Sequence, residues 1–342
     1  MSRRRIRIGV DLMGGDSAPV NELLAVADAE RQLPEEVELV LIGHAERVKE
    51  AVQRLKIRLP RYPFVHAEEV ITMQDDPTLA VRSKPASSLV LGMQLQREGE
   101  LDAFVTAGNT GAVLTAATLL LGRITGVGRP TIATLVPTEQ TRPAVLLDVG
   151  ANVECRPHHL YEFAVMGSVY AREMLGVESP RVGLLNVGEE AGKGGRTLRE
   201  TYQLLKQSWL NFIGNVEGRD VLRGVADVVV CDGIVGNIVL KFGESLAAAF
   251  RARLQGLARG NLWRRMLFWL LRPALRRAFR EFDYQHYGGV PILGVRGTVI
   301  VGHGRSTPLA LRNMLVRAQE AVRRSLVQRL ETAMQLSAVS AS

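Results

Sequence analysis

Short, fully apolar runs alternate along the chain with polar, glycine-rich turns, and after most turns apolar residues resume at helical spacing. Ile6 to Val10 runs into Asp11-Leu12-Met13-Gly14-Gly15-Asp16, after which a helix capped by Ser17, with Pro19 in its first turn, is predicted. Val37 to Ile42 reads as the next strand, Glu46 to Leu55 as a helix, and Phe64 to Ala67 as a short strand. Met73 to Ser88 reads as an irregular loop broken by Pro77 and Pro85.

The same grammar then recurs. Ala103 to Thr106 leads into Ala107-Gly108-Asn109-Thr110-Gly111 and an apolar helix through Leu121. Ala144 to Leu147 leads into Asp148-Val149-Gly150-Ala151-Asn152, with a helix near Leu160 to Met174. Val182 to Leu185 leads into the turn Asn186 to Gly195 and a helix from about Thr197. Val225 to Cys231, rich in β-branched residues, reads as a strand buried on both faces. It is followed by the loop Asp232 to Asn237 and by a helix carrying Ile238, Leu240, Phe242 and Leu246. Thr298 to Val301 precedes Gly302-His303-Gly304-Arg305-Ser306 and one long helix from Pro308 to about Leu330. The tail, 334–342, is small and polar enough to fray.

Strand, polar turn and helix repeated in this way predict an α/β fold: a doubly wound, mostly parallel sheet with helices on both faces. No linker divides the chain, so 1–342 reads as one domain, with a helical protrusion over 245–283. The turns after the strands are expected to open together on one edge, where such sheets bind ligands. They carry Asp11, Asp16, Asn109, Thr110, Asp148, Asn152, Asn186, Lys193, Asp232, Asn237 and His303 among many glycines. Glycine-rich backbone at helix N-termini offers free N–H groups to anions, so a phosphate-like ligand is favoured. Turn-forming alone would also select these residue types, and for any single loop that reading stands beside the functional one.

Composition narrows the field further. Hydrophobic residues make up 46% and charged residues 23% of the 342, as expected of a globular chain with a real core. The formal charge of +8 is matched by one segment, Arg251 to Arg280, which holds nine arginines and no Asp or Glu. Cys155 and Cys231 are the only cysteines and form no CxxC, which points to a reducing cytoplasm. The opening residues do not read as a signal peptide, since IRIGV meets a glycine turn at once. Near the basic segment the longest strongly apolar run is Met266 to Leu271, too short for a membrane span.

Several chemistries lack their motif. Without GxGxxG, a dinucleotide cofactor is not expected. Gly188 to Gly194 approaches a P-loop but has one residue too few and glycine after the lysine, which argues against ATP hydrolysis. GxSxG is missing too. Cys155, His158 and His159 form a close cluster, read as a helix start with incidental histidines rather than a metal site. No cofactor and no metal are therefore expected.

DLMGGD with Ala18-Pro19, RSKPASS, TAGNTGA, LDVGAN, LLNVGEEAGKG, FIGNVEG, DGIVGN with LK, and YGGVPILGVRG with HGRS occur in that order. This ordered set, from about Ile6 to about Leu326, resembles the bacterial phosphate acyltransferases of phospholipid synthesis, the PlsX family. Ile234 departs from the aromatic residue often found there, and the N-terminus carries extra arginines. The resemblance implies a fold like phosphotransacetylases and isopropylmalate dehydrogenase, and a homodimer associated peripherally with membrane. It also implies transfer of a long acyl chain from acyl carrier protein to inorganic phosphate, with a functional link to a glycerol-3-phosphate acyltransferase. An enzyme using acyl-CoA and a non-catalytic scaffold for acyl carrier protein are the alternatives.

Phosphate is already an anionic nucleophile, so such a protein must align phosphate and thioester, stabilise an oxyanion and help a thiolate leave. On that basis Lys193 is expected to neutralise the phosphate or oxyanion, with Asn186 and Asn237 as oriented donors. Asp232 is expected to orient Lys193, and His303 to protonate the leaving thiolate. Asp11, Gly14, Gly15, Asp16, Lys84, Ser87, Gly108, Asn109, Thr110, Gly111, Asn152, Gly233 and Gly236 are expected to bind phosphate or substrate. An acyl relay through Cys155 or Cys231 is a weaker alternative, because phosphate needs no thiol intermediate.

In the basic segment, Pro273 is expected to break the chain into two helices meeting at a tip. Trp263, Leu267, Phe268, Trp269 and Leu270, with Arg265 and Arg272, suit contact with an anionic membrane surface. An apolar dimer seam is the other use of the same stripe, whereas nothing here resembles a nucleic-acid reader.

Overall fold

The computed structural model describes residues 5–59, 62–258, 262–280, 285 and 287–339. Its elements begin β1 Ile6–Asp11, α1 Val20–Ala29, β2 Val37–Gly43, α2 Ala45–Leu55, β3 Phe64–His66, α3 Pro77–Ser83, α4 Ser88–Arg97 and β4 Ala103–Thr106. Then come α5 Thr110–Ala116, which continues as a π-helical turn to Leu121, and β5 Thr131–Val136. The second half holds β6 Ala144–Leu147, α6 Pro157–Leu175, β7 Val182–Leu185, α7 Arg196–Lys206, β8 Phe212–Val216, α8 Gly218–Arg223 and β9 Val228–Val230. A helical hairpin, α9 Gly233–Ala258 and α10 Leu262–Arg280, precedes β10 Val290–Leu293, β11 Thr298–Val301, α11 Pro308–Arg323 and α12 Leu326–Val339.

Among the described residues eleven strands form one sheet, ordered β3-β2-β1-β4-β11-β10-β5-β6-β9-β7-β8. β4, β6, β7, β9 and β11 are buried along their whole length, as strands covered by helices on both faces must be. The first five strands in the order run parallel. β10 is antiparallel to β11 and β5, and β5 is antiparallel to β6. β6, β9, β7 and β8 are again parallel to one another. Three reversals in a row leave the two parallel halves pointing in opposite directions. The expectation that all post-strand turns share one edge is therefore corrected: they form two groups, one after β1, β4 and β11, the other after β6, β7 and β9.

Other differences have local causes. Residues 77–83 are helical, because Asp76 caps the Thr78 and Leu79 N–H groups and Pro77 sits at the first helical position, where its missing N–H costs nothing. Before α1 the cap is Pro19 without a side-chain bond, not Ser17. α9 starts at Gly233, four residues earlier than expected, and β9 is only three residues long. The predicted helix over 308–330 is two helices, separated near Ser325, whose φ of 52° ends the α-helical geometry. Helix α12 runs to Val339, with Met334 and Ser337 buried, so fraying from 334 is overturned; residues 340–342 lie outside the described set. Pro273 lies inside α10, which stays helical around it, so the expected break at the proline is corrected.

Candidate active site

The second group of turns is built on Asp148, a fully buried residue at the end of β6. Its carboxylate accepts from the N–H groups of Ile132 (3.1 Å), Ala151 (3.1 Å) and Asn152 (2.6 Å) and from Asn152 Nδ2 (2.9 Å). Asn152 Nδ2 also donates to the Pro130 carbonyl at 2.8 Å, which stitches the turn to the start of β5. Burial raises the Asp148 pKa, and these donors pull it back. Asn152 is thus a buried strut of the turn, its amide nitrogen engaged by protein.

The start of α9 lies directly on this turn. Gly233 N–H donates to the Asn152 carbonyl at 2.8 Å. A Cβ on Gly233 would come within 2.6 Å of that carbonyl oxygen, and one on Gly236 within 1.9 Å of the Asp148 carbonyl oxygen. Both positions require glycine because backbone meets backbone. Asp232 caps the helix by accepting from Val235 N–H at 2.8 Å. Asn237 faces Gly150, whose absent Cβ would sit 3.8 Å from the asparagine Cβ and Cγ. The Asn237 side chain is exposed, and among the described residues its amide makes no hydrogen bond.

β7 lies beside β9 and runs the same way, so the turn Asn186 to Gly195 leaves the same edge. Asn186 Oδ1 accepts from Val187 N–H at 2.8 Å, and Nδ2 donates to the Lys193 carbonyl at 3.1 Å. Asn186 therefore shapes the lysine turn. Lys193 is exposed, with Nζ 3.6 Å from Glu190 Oε1. The expected Asp232–Lys193 pair is corrected: the lysine pairs with Glu190, while Asp232 serves its own helix.

Two thiols flank the turn of Asp148. Burial pushes the Cys155 thiol up to about 12, with Asp148 and Asp232 adding to the shift. Burial also raises the Cys231 thiol well above its ordinary value, with the same carboxylates adding to the shift. Neither thiol ionises near neutral pH, which removes the physical basis for an acyl relay.

The first group of turns is a separate knot of backbone. Asp11 is buried and accepts from Met13 N–H (2.9 Å) and Thr106 Oγ1 (2.7 Å). Gly108 N–H donates to the same Thr106 hydroxyl at 2.9 Å, and Asp16 N–H to the Gly304 carbonyl at 2.8 Å. A Cβ on Gly14 would stand 2.8 Å from Gly108 N. His303 Nδ1 accepts from Arg305 N–H at 3.2 Å in this knot, after a strand opposite in direction to the one before Lys193.

Other expected ligands hold loops instead. Asn109 caps α5 through Ala112 N–H, and its Nδ2 reaches the carbonyls of Thr72, Met73 and Asp75. Thr110 and Gly111 form the first turn of that helix, Gly111 lying against Pro77. Lys84 Nζ is tied to Asp75 at 2.6 Å and to the Val70 carbonyl at 3.0 Å, and Ser87 caps α4. The side chains of Asn109, Lys84 and Ser87 are committed to scaffold.

Two residues with clear positions escaped sequence reasoning about the site. Arg129, just before β5, donates to the Glu154 carbonyl at 3.3 Å and lies near enough to act electrostatically on Cys155 and His159. Asn215 donates to the Glu190 carbonyl at 2.8 Å, supporting the lysine turn from β8. The only sequence signals were the GRP before a strand and the GN of FIGNVEG.

On the hairpin, Trp263, Leu267, Trp269 and Leu270 are exposed, as is Arg272, and Phe268 is half-buried. Arg265 belongs to the helix, but its side chain lies outside the described set. Along α9, Ile234, Ile238, Phe242, Leu246 and Phe250 are exposed at four-residue spacing. By length and composition alone, Gly233–Leu257 is the one helix among the described residues able to cross a membrane, a feature hidden from a search for unbroken apolar runs.

The fold as a whole matches solved phosphotransacetylases. It is similar to the EutD phosphotransacetylase of Staphylococcus aureus, with a TM-score of 0.60 at 15% identity, covering 97% of this chain and 94% of that one. A branched-chain phosphotransacylase of Enterococcus faecalis gives a TM-score of 0.58 at 14% identity, over 93% and 99% of the two chains. In sequence, the phosphate acyltransferase of Moorella thermoacetica is 46% identical over 327 residues, 95% of each chain. That of Dictyoglomus turgidum is 44% identical over 319 residues, 93% of this chain and 94% of the relative. A family model described as fatty acid synthesis protein matches residues 6–329. With that match and this likeness along nearly the whole length, the chain belongs to the PlsX family of phosphate acyltransferases.

Proposed function

We propose that this acyltransferase moves a long-chain acyl group from acyl carrier protein to inorganic phosphate, supplying acyl phosphate for membrane phospholipid synthesis. The observation that carries the reading is the row of turns after β6, β9 and β7. There an Asp148-braced backbone, a free Asn237 amide and the Lys193 ammonium leave the sheet side by side. A phosphate oxygen attacks the thioester carbonyl carbon, forming the new C–O bond and an oxyanion. Collapse of that intermediate breaks the C–S bond, and the thiolate leaves with the electron pair. Lys193 offsets the growing negative charge and Asn237 donates to it. The buried thiols take no part. A mixture of acyl carrier protein thioester and phosphate should yield acyl phosphate with stoichiometric free thiol. Turnover with acyl-CoA alone would replace the carrier protein as donor, and binding of carrier protein without acyl phosphate would leave only a scaffold.

We further propose a cytoplasmic homodimer seated reversibly on anionic membrane. An apolar stripe as long as that of α9 needs a cover in water, and a second copy of the same stripe supplies one. Its start is pinned to the Asp148 turn and its middle carries the Lys241–Glu244 pair, which suits a seam better than a span. The exposed tryptophans of α10 with nearby arginines suit the headgroup boundary, at about 1 kcal/mol per arginine. Trp269→Ser with Leu270→Ser is expected to abolish sedimentation with anionic vesicles while leaving dimerisation and activity on soluble donor intact. Undiminished vesicle binding would remove α10 from the membrane contact.

A further inference from the structure

The edge of the sheet that carries Lys193 continues past the Asp148 turn in the other direction. Thr131 at the start of β5 pairs with Leu293 at the end of β10, and Ala133 pairs with Leu147 at the end of β6. Segments 122–130 and 294–297 therefore lie on the same edge as the Asp148 and Lys193 turns. They are tied to each other. Arg296 N–H donates to the Gly122 carbonyl at 2.9 Å and its Nη2 to Thr125 Oγ1 at 3.2 Å, while Arg123 donates to the Gly128 carbonyl. Arg129 in turn reaches the Glu154 carbonyl, beyond the end of β6.

The result is an edge lined with arginine. Arg123, Arg129, Arg156 and Arg296 are all exposed, and among the described residues none of them forms an ion pair with a carboxylate. Segments 122–130, 153–158 and 294–297 set these four arginines against a single acid, Glu154. Burial first, then His158, and behind them Arg129 and Arg156 lower His159 to about 4, so both guanidiniums lie within electrostatic reach of one ring. Val153, next to Glu154, is 66% exposed and gives the charged edge an apolar contact.

We propose that this arginine edge is the docking surface for an acidic carrier protein that presents the acyl thioester. The identity of the partner rests on the acyl-transfer reading; the surface itself does not. Charge complementarity favours an acidic body, since the arginines have no carboxylates of their own to satisfy them. Position favours a partner with an arm. β5 and β10 stand three and four strand spacings from β7, about 14 and 19 Å, so a body held there reaches Lys193 only through an extended group such as pantetheine. The three segments contain no aromatic residue, whereas a membrane headgroup boundary or a single-stranded nucleic acid would draw on aromatic side chains.

Arg123 and Arg296 are the pair farthest along the edge from Lys193. Arg123→Glu with Arg296→Glu should raise the Kd for holo acyl carrier protein, followed by fluorescence anisotropy, at least about tenfold. The KM for the acylated carrier should rise in step, with kcat and the KM for phosphate within about twofold of wild type. Transfer of the same acyl group from free pantetheine should also stay within about twofold. Added salt should weaken carrier binding in wild type and do so much less in the reversed pair. Arg123→Lys with Arg296→Lys keeps the charge and should bind carrier within about threefold of wild type.

An unchanged Kd for carrier in the reversed pair, with acyl phosphate still formed, overturns the surface and leaves the reaction standing. Equal losses with carrier and pantetheine donors, or in the Lys and Glu pairs, also overturn it, by assigning these arginines to the reacting centre or to loop structure. So does loss of sedimentation with anionic vesicles while carrier binding holds, which would give the edge to membrane. If wild type makes no acyl phosphate but binds carrier, and the reversed pair does not, acyl transfer fails and the docking surface stands.

Discussion

Replacing Lys193 with alanine is expected to lower turnover by about 10²–10³-fold while leaving the fold's stability almost unchanged. The two halves of that expectation come from different parts of the structure. Lys193 is exposed, and its Glu190 contact is a 3.6 Å pair three residues away in sequence, with both side chains at least half exposed. Such pairs contribute from nothing to about 1 kcal/mol, so thermal unfolding should barely move. The turn that presents the lysine is held by other groups: Asn186 Nδ2 on the Lys193 carbonyl, and Asn215 on the Glu190 carbonyl. Removal of the ammonium therefore subtracts charge from the site without collapsing the turn. The loss should be larger in kcat than in the KM for phosphate, if the ammonium serves mainly the oxyanion. Near-full turnover with unchanged phosphate dependence would take Lys193 out of the reaction.

Gly236→Ala is expected to cost at least as much activity, by an unrelated route. Its new Cβ would stand 1.9 Å from the Asp148 carbonyl oxygen, 2.9 Å from the carbonyl carbon and 2.9 Å from Cys231 Sγ. Neither side can yield cheaply. Asp148 N–H donates to the Cys231 carbonyl at 3.0 Å, and its carboxylate gathers four donors. Relief must come from shifting the start of α9, and with it Asn237. Overpacking of this kind costs about 1–3 kcal/mol, and a displacement of about 1 Å at a reacting site costs about 10²-fold in rate. Gly192→Ala is the matched control, since nothing lies within 4 Å of its absent Cβ. It should stay within about 0.5 kcal/mol of the parent in chemical unfolding and keep its activity. Equal behaviour of the two variants would show that the contact of α9 with the Asp148 turn does not set the geometry.

Much of the sheet was legible because parallel strands buried on both faces leave continuous apolar runs, each closed by a glycine turn. β4, β6, β7, β9 and β11 all follow that rule. β5, β8 and β10 were missed. β5 and β10 are the antiparallel strands that reverse the sheet, and neither is followed by the turn-and-helix signature that marked the others. β8 has an exposed residue, Ile213, at which its register with β7 shifts. The helix over 77–83 was read as loop because proline was counted as a breaker, when one residue earlier Asp76 offers the cap that makes it a start.

For the site, residue type was informative and residue role was not. Asn, Asp and Lys at the strand ends were all noticed, yet Asn109, Lys84, Ser87 and Asn152 spend their polar atoms on neighbouring loops. Asn237 does not. Whether a given amide is engaged or free depends on partners distant in the chain, and sequence spacing carries no record of them.

The order of apolar runs and turns along the chain by itself determined the α/β class, the family and the identity of the glycine turns, because burial on both faces and tight backbone geometry each impose a local residue pattern. Tertiary structure alone decided that the strands reverse midway and split the turns into two groups, and that Lys193 answers to Glu190 rather than Asp232. These are matters of which segments meet, and contact between distant segments is set by the packing of the whole sheet.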